Sequence, residues 1–253
     1  KKNWNTLDII NEIKKRISGD VGFAGNKDRN AVTYQYISVK KQINFKIKDT
    51  EFTFIGTGKE RVFLGKLEGN EFILTIRDLD KKLKEVKKVV NYFGEQRFSE
   101  KNGLIGKLIV HKKFREACQE LNLEVKENDY INSLRKLGNE NLKFYIHAYQ
   151  SELWNKLAAK SKKKILPILG FLTEGKDYEQ IMKEENITTK DFIIRNMPEL
   201  SSEGGFRERV VKVENFKTIS FEDDDLNPGK KKQVISFYLS KGAYATTVIE
   251  ALA

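Results

Sequence analysis

The stretch Gly22-Phe23-Ala24-Gly25-Asn26-Lys27-Asp28-Arg29-Asn30-Ala31-Val32-Thr33-Tyr34-Gln35 wedges one acidic residue between two cations, on a Gly-punctuated turn joining two apolar runs. Two readings of Asp28 stand at this point. It caps a local turn while Lys27 and Arg29 are solvated, or it is a reactive carboxylate. Nearby cations lower a carboxylate pKa from its reference of about 3.9 and so favour the ionised form. Successive residues of an extended chain point to opposite faces, so Lys27 need not pair with Asp28, and Arg97, Arg207 or Arg209 could supply that cation. Gly25 fits a place where the backbone needs conformational freedom.

Outward from this stretch, the periodicity changes along the chain. Upstream, Leu7, Ile10, Ile13 and Ile17 recur at helical spacing behind Thr6, which is expected as the N-cap. Downstream, Thr33 to Arg77 reads as strands. Ile43, Phe45 and Ile47 alternate with polar residues, Phe52 and Phe54 resume the pattern, and Arg61–Leu67 and Glu71–Arg77 continue it, with Gly56, Gly58 and Gly69-Asn70 as turns. A polar helix is expected over about Leu79 to Val90. Beyond residue 100 the pattern is mostly helical, best in Leu104–Leu121, Leu142–Ala159 and Tyr178–Glu185, with the basic run Lys160–Lys164 between two of these helices. Strand character is expected to return only at Val234–Leu239. β-Rich flanks around a helical middle predict an α+β chain whose sheet is begun before residue 100 and completed by the last strand, with helices budding from one loop.

Composition narrows the chemistry. The chain has 253 residues with 47 Lys and Arg against 36 Asp and Glu, a net charge of +11. That is the electrostatic footprint of a phosphate-binding protein, although the interleaved acidic residues also fit a merely Lys-rich surface. No apolar run approaches the length of a bilayer span. The single Cys118 excludes an intrachain disulfide and reads as a small buried hydrophobe. With only His111 and His147 beside it, a zinc site of the Cys/His type has too few ligands, so cofactor-free and metal-free chemistry is expected. The surroundings expected are cytoplasmic, the state monomeric, with no protein partner implied.

Three stretches together resemble the TruD family of pseudouridine synthases. Gly25-Asn26-Lys27-Asp28-Arg29-Asn30-Ala31-Val32-Thr33-Tyr34-Gln35 follows the family's Gly-x-Lys-Asp-x-x-Ala-x-Thr-x-Gln signature. Asn91-Tyr92-Phe93-Gly94-Glu95-Gln96-Arg97-Phe98 is similar to its second motif, and Leu239-Ser240-Lys241-Gly242-Ala243-Tyr244-Ala245-Thr246-Thr247-Val248 to its C-terminal one. The resemblance implies a catalytic domain with a mixed, mainly antiparallel sheet flanked by helices, formed by residues 1–128 and 213–253. It implies a mostly helical insertion, the TRUD domain, at 129–212. The activity implied is isomerisation of a tRNA uridine, at position thirteen of the D arm, to pseudouridine, without a cofactor. Asp28 would be the catalytic residue. Lys27, Asn91, Phe93 and Tyr244 would bind substrate, with Thr33 and Gln35 holding the loop.

On the RNA side, Arg97, Lys162, Lys163, Lys164, Arg207 and Arg209 are the candidate contacts, each with a solvated or structural role as the alternative. Phe93 taken alone reads as core, and Tyr244 as a first-turn packing residue of a C-terminal helix. The competing class is a catalytically silent RNA-binding module on the same scaffold. A metal-dependent nuclease is disfavoured because no carboxylates cluster at ligand spacing. Asn26, Val90, Ser99, Ser240 and Ala243 depart from the family pattern without removing a proposed catalytic group, and they bear on loop rigidity and substrate preference. The family's N-terminal strand with its Phe and Glu is expected ahead of Lys2–Thr6 and is not in this sequence. The compact insertion and the Lys- and Ile-rich composition point to an archaeal member.

Overall fold

The computed structural model describes residues 1–94 and 101–252, and these divide into two compact units, 1–70 and 71–253. Helix α1 (Thr6–Lys14) opens the first unit. Its N-cap is Asn5, one residue before the expected Thr6, and the Asn5 side chain accepts the Asp8 N–H. Ile9, Ile10 and Ile13 of α1 bury one stripe against Val21 and Ile47, with Ile43, Phe45 and Phe52 packed around them. The expected alternation of apolar residues over 43–52 is therefore present in the burial, but the expected strands are not. Between residues 33 and 68 the only ladder is β2 (Ile37–Ser38), paired antiparallel with β1 (Gly22–Phe23). A turn at Asp49, with φ +56°, brings Thr50 N–H back to Ile47 O and breaks the extended run.

In the second unit, β3 (Gly69–Leu79), β8 (Glu214–Asp223) and β9 (Lys231–Ser240) form a three-stranded sheet ordered β3-β9-β8. Both neighbours flank β9, so its apolar positions are covered: Ile235, Phe237 and Leu239 are buried, and Phe237 meets Phe72 and Phe216 ring to ring. The helix expected at Leu79–Val90 does not form. Gln233, fully buried on β9, accepts the Leu83 N–H and donates to Leu83 O, holding the Lys-rich segment extended against the sheet. Tertiary hydrogen bonding overrides helix propensity here. The segment ends in β4 (Lys88–Val90), antiparallel to β7 (Val210–Lys212).

Helices α2 (Asn102–Val110) and α3 (Phe114–Glu120) occupy the expected Leu104–Leu121 region and are followed by α4 (Tyr130–Arg135). The 22-residue α5 (Asn139–Lys160) is the axis of a second core, burying Leu142, Ile146, Tyr149, Leu153, Trp154 and Leu157. α2 lies close against it: a Cβ on Gly106 would stand 2.0 Å from Tyr145 O, so only glycine fits. Cys118 is buried in this core, where loss of solvation pushes its thiol pKa up. Strand character does not wait for the chain's end. β5 (Ile165–Ile168) and β6 (Gly205–Glu208) form an antiparallel pair, so Lys160–Lys164 joins a helix to a strand. α6 (Glu179–Glu185) and α7 (Ala245–Leu252) complete the unit, and no helix of the described residues is long and apolar enough to cross a membrane.

Candidate functional site

In the first unit, the loop carrying Asp28 is organised around Thr6, which is completely buried. The Thr6 hydroxyl accepts the Lys27 N–H at 2.9 Å and donates to Gln35 Oε1 at 3.3 Å, while Thr6 N–H reaches Asn26 Oδ1 at 3.2 Å. One side chain thereby ties both ends of the stretch to the start of α1. Leaving these groups unpaired and buried would be unfavourable, so the loop is specified by polar satisfaction rather than by packing. Gln35 holds the loop as expected, whereas the Thr33 hydroxyl, expected to do the same, is buried without a hydrogen-bond partner among the described residues.

Asp28 stands exposed on this framework. Within the unit, neither flanking cation closes on it. The Lys27 ammonium donates to Asn70 Oδ1, and burial lowers its pKa against the opposing pull of Asp28. Arg29 turns the other way and pairs with Asp8 at 2.5 Å. The third nearby cation, Lys1, donates to the backbone oxygens of Lys27 and Asp28, at 3.3 and 3.4 Å. The result is an accessible carboxylate on a loop whose cations are committed to other partners.

The second unit brings together residues 91–94, β6 and the stretch before α7. Asn91 is buried and fully hydrogen bonded. Its N–H donates to Arg209 O at 2.7 Å and its amide to Glu208 O at 3.1 Å. Arg207 answers from β6, giving Nε–H to Asn91 O at 3.0 Å and a terminal nitrogen to Asn91 Oδ1 at 2.8 Å and Gly242 O at 3.0 Å. Its guanidinium lies over the Phe93 ring, 4.0 Å from the centroid. Phe93 is 9% exposed, meets Trp154 edge to face at 5.5 Å, and exchanges both backbone hydrogen bonds with the Asn155 amide. Tyr244 packs against Gly94 just ahead of α7.

Asn91, Phe93, Tyr244 and Arg207 thus form one cluster. Arg209 instead donates to Ala158 O at 3.0 Å, a bond that ties the bend between β6 and β7 to the end of α5. Lys162, Lys163 and Lys164 are exposed, and Lys163 pairs with Asp177 at 2.5 Å. Arg97 lies outside the described residues. The sequence reading missed Trp154 and Asn155. An amide within the expected helix Leu142–Ala159 calls for a partner, which could have marked Asn155 but not the residue it meets.

Comparison with known proteins gives one family. The profile of "tRNA pseudouridine synthase D (TruD)" matches residues 1–123 and 169–252. A protein of Methanococcoides burtonii named "Probable tRNA pseudouridine synthase D" is 27% identical, covering 98% of this chain and 84% of that protein. One of the same name from Pyrococcus abyssi is 42% identical over a shorter region, 47% of this chain and 34% of that protein. A crystal structure of a tRNA pseudouridine synthase D from Methanosarcina mazei superposes with a TM-score of 0.77 at 23% identity, covering 99% of this chain and 85% of that one, which shows the shared α+β fold.

Proposed function

The chain belongs to the tRNA pseudouridine synthase D family, isomerases that act on RNA, and we propose that it converts a tRNA uridine at position thirteen of the D arm to pseudouridine with Asp28 as the catalytic carboxylate. The observation that carries this reading is the presentation of Asp28: exposed, in its matching motif, on a loop pinned through both Lys27 and Gln35 to buried Thr6. Pseudouridine formation breaks the bond between base nitrogen and ribose C1′, turns the retained base and rejoins it through carbon. A carboxylate can drive it by attacking C1′ or by taking a sugar proton to release the base through a glycal. Both routes need an ionised, precisely held carboxylate, and a glutamate would displace the oxygen by a methylene.

Asn91, Phe93 and Tyr244 are proposed to hold the base and Lys27 to hold the loop. Arg207 lies on the Phe93 ring face, so a base stacking there has to displace the guanidinium, whereas a base meeting the ring edge does not. The insertion at 129–212, within catalytic segments 1–128 and 213–253, belongs to the same proposal. Its helices share one core with α2 and α3 from ahead of residue 129, so the edges of that core do not coincide with the edges of the proposed insertion.

The test is to incubate the protein with unmodified tRNA transcript, in chelator and without cofactor, and to map pseudouridine along the RNA. Asp28→Asn should lower the rate by about 10³-fold or more while RNA affinity stays within a few fold. Substantial activity in that variant would refute the assignment of Asp28. Intact binding with no modification by the unaltered protein would favour the silent RNA-binding module.

A further inference from the structure

Past the bends at residues 29–31 the burial alternates from Val32 into β2, and the side chains divide into two faces. Val32, Tyr34 and Tyr36 are 61, 87 and 72% exposed. Between them, Thr33, Gln35 and Ile37 are partly buried and anchored. Thr33 N–H donates to Lys1 O at 2.9 Å, Gln35 accepts from Thr6, and Ile37 pairs with Phe23 across β1–β2. The two tyrosines therefore stand in open solvent on a backbone fixed from behind. Tyrosine has a large apolar face, and two fully presented side by side call for an explanation that core packing does not supply.

The surrounding charge identifies the class of partner. From Asn26 to Lys48 the chain carries six cations, Lys27, Arg29, Lys40, Lys41, Lys46 and Lys48, and a single acidic residue, Asp28. All but Lys27 are exposed. Aromatic faces interleaved with cations suit a strand of unstacked bases on a phosphate backbone. Side chains two apart on an extended chain are spaced about 6.7 Å, room for one base between two rings. Paired bases keep their faces inside the helix and cannot use such a surface.

We propose that Tyr34 and Tyr36 form a stacking platform for unpaired nucleobases of the RNA substrate, beside the proposed catalytic residue. This rests on the reading of the protein as an RNA-modifying enzyme and deepens it by naming the structural class of RNA, a looped or opened segment.

Affinity for the unmodified tRNA transcript and for a blunt RNA duplex, measured in an Asp28→Asn background across a salt series, tests the platform. Tyr34→Ala with Tyr36→Ala should weaken tRNA binding about tenfold per ring at fixed salt and leave the salt slope unchanged, since no phosphate contact is removed. Tyr34→Phe with Tyr36→Phe keeps both rings and should bind tRNA like its parent, and duplex affinity should not respond to either pair. Both positions are exposed, so thermal unfolding of the Ala pair should match the parent.

Unchanged tRNA affinity in the Ala pair overturns the platform, as does an equal loss in the Phe pair. A parent dimer that the Ala pair dissociates without altering RNA affinity would assign the surface to a second copy of the chain and overturn it too. The two readings fail separately. Loss of tRNA binding by the Ala pair, with no pseudouridine made by the unaltered protein, keeps the platform and removes the proposed reaction, whereas normal modification with unaltered Ala-pair affinity does the reverse.

Discussion

The unit of residues 1–70 and the unit of residues 71–253 are held together by different means. The smaller one has a single nine-residue helix, a ladder of two residue pairs, and a core built on Ile9, Ile10, Ile13, Val21 and Ile47. Its Asp28 loop is positioned by a buried hydroxyl, not by regular structure. The larger one closes two cores around α5 and β9, and its candidate base-holding cluster is set into that packing through Trp154, Asn155 and Arg207. The difference teaches a division of labour: the exposed Asp28 is presented on a loop fixed by a few polar bonds, whereas the candidate base-holding residues Asn91 and Phe93, themselves outside regular structure, are gripped by side chains from β6 and α5.

Among changes aimed at the larger unit, the greatest effect on its stability should come from Glu185. This residue of α6 is buried, with its carboxylate bonded to Lys156, to Lys107 at 2.9 Å and to the Tyr149 hydroxyl at 3.2 Å. Burial alone would raise its pKa, but the hydrogen bonds from Lys156 and Lys107 prevail and bring it to about 2 from an ordinary 4.5. Its folded pKa is depressed, so its stabilising contribution is complete above pH 4.5 and is lost as the pH falls through about 2. Glu185→Gln should lower unfolding free energy by about 3 kcal/mol at pH 7, and the gap to the unaltered protein should narrow in denaturant titrations at pH 3. Equal stability of the two at pH 7 would show that this network does not hold the larger unit.

Arg207→Lys sharpens the comparison at the site itself. Lysine cannot span Asn91 O, Asn91 Oδ1 and Gly242 O while lying flat on an aromatic ring. The expected outcome is a fall of about tenfold in kcat with tRNA affinity within about twofold and an unchanged salt slope, because the residue positions Asn91 and Phe93. Weaker binding with a shallower salt slope and unchanged kcat would return Arg207 to the phosphate contacts among which the sequence first placed it.

The legible parts of this molecule were those where local pattern and tertiary demand agree. Helical periodicity located α5 and α6, and the strand character of Val234–Leu239 located β9, because the same residues that carry these signals also fill the cores. The motif order led to the family, and with it to a tRNA-modifying isomerase. The pattern misled where distant hydrogen bonds decide. Lys81, Lys82 and Lys84 favour a helix, yet buried Gln233 holds Leu83 extended. Ile43, Phe45 and Ile47 alternate toward a core, yet no neighbouring strand pairs with them. In the candidate site, Asn91 and Phe93 were readable as motif residues, but the grip of Arg207 and Asn155 on them spans 116 and 62 residues of chain. Nothing local in the sequence reports a contact of that range.

The smallest effect is expected from the basic run, where the structure changes what a count of charges predicts. Three lysines each contacting a phosphate would add about one unit apiece to the salt slope of binding. Lys163 is already paired with Asp177, so replacing Lys162, Lys163 and Lys164 together by alanine should reduce the slope by about two and affinity by only a few fold at moderate salt. The measurement is tRNA affinity across a salt series, with pseudouridine formation at saturating RNA as its companion. A slope that does not change would confine phosphate binding to cations elsewhere, whereas a full loss of three would mean that bound RNA outcompetes Asp177 for Lys163. Saturating activity should stay the same in either case, because Asn91 and Phe93 are held by Arg207 and Asn155 and not by these exposed lysines.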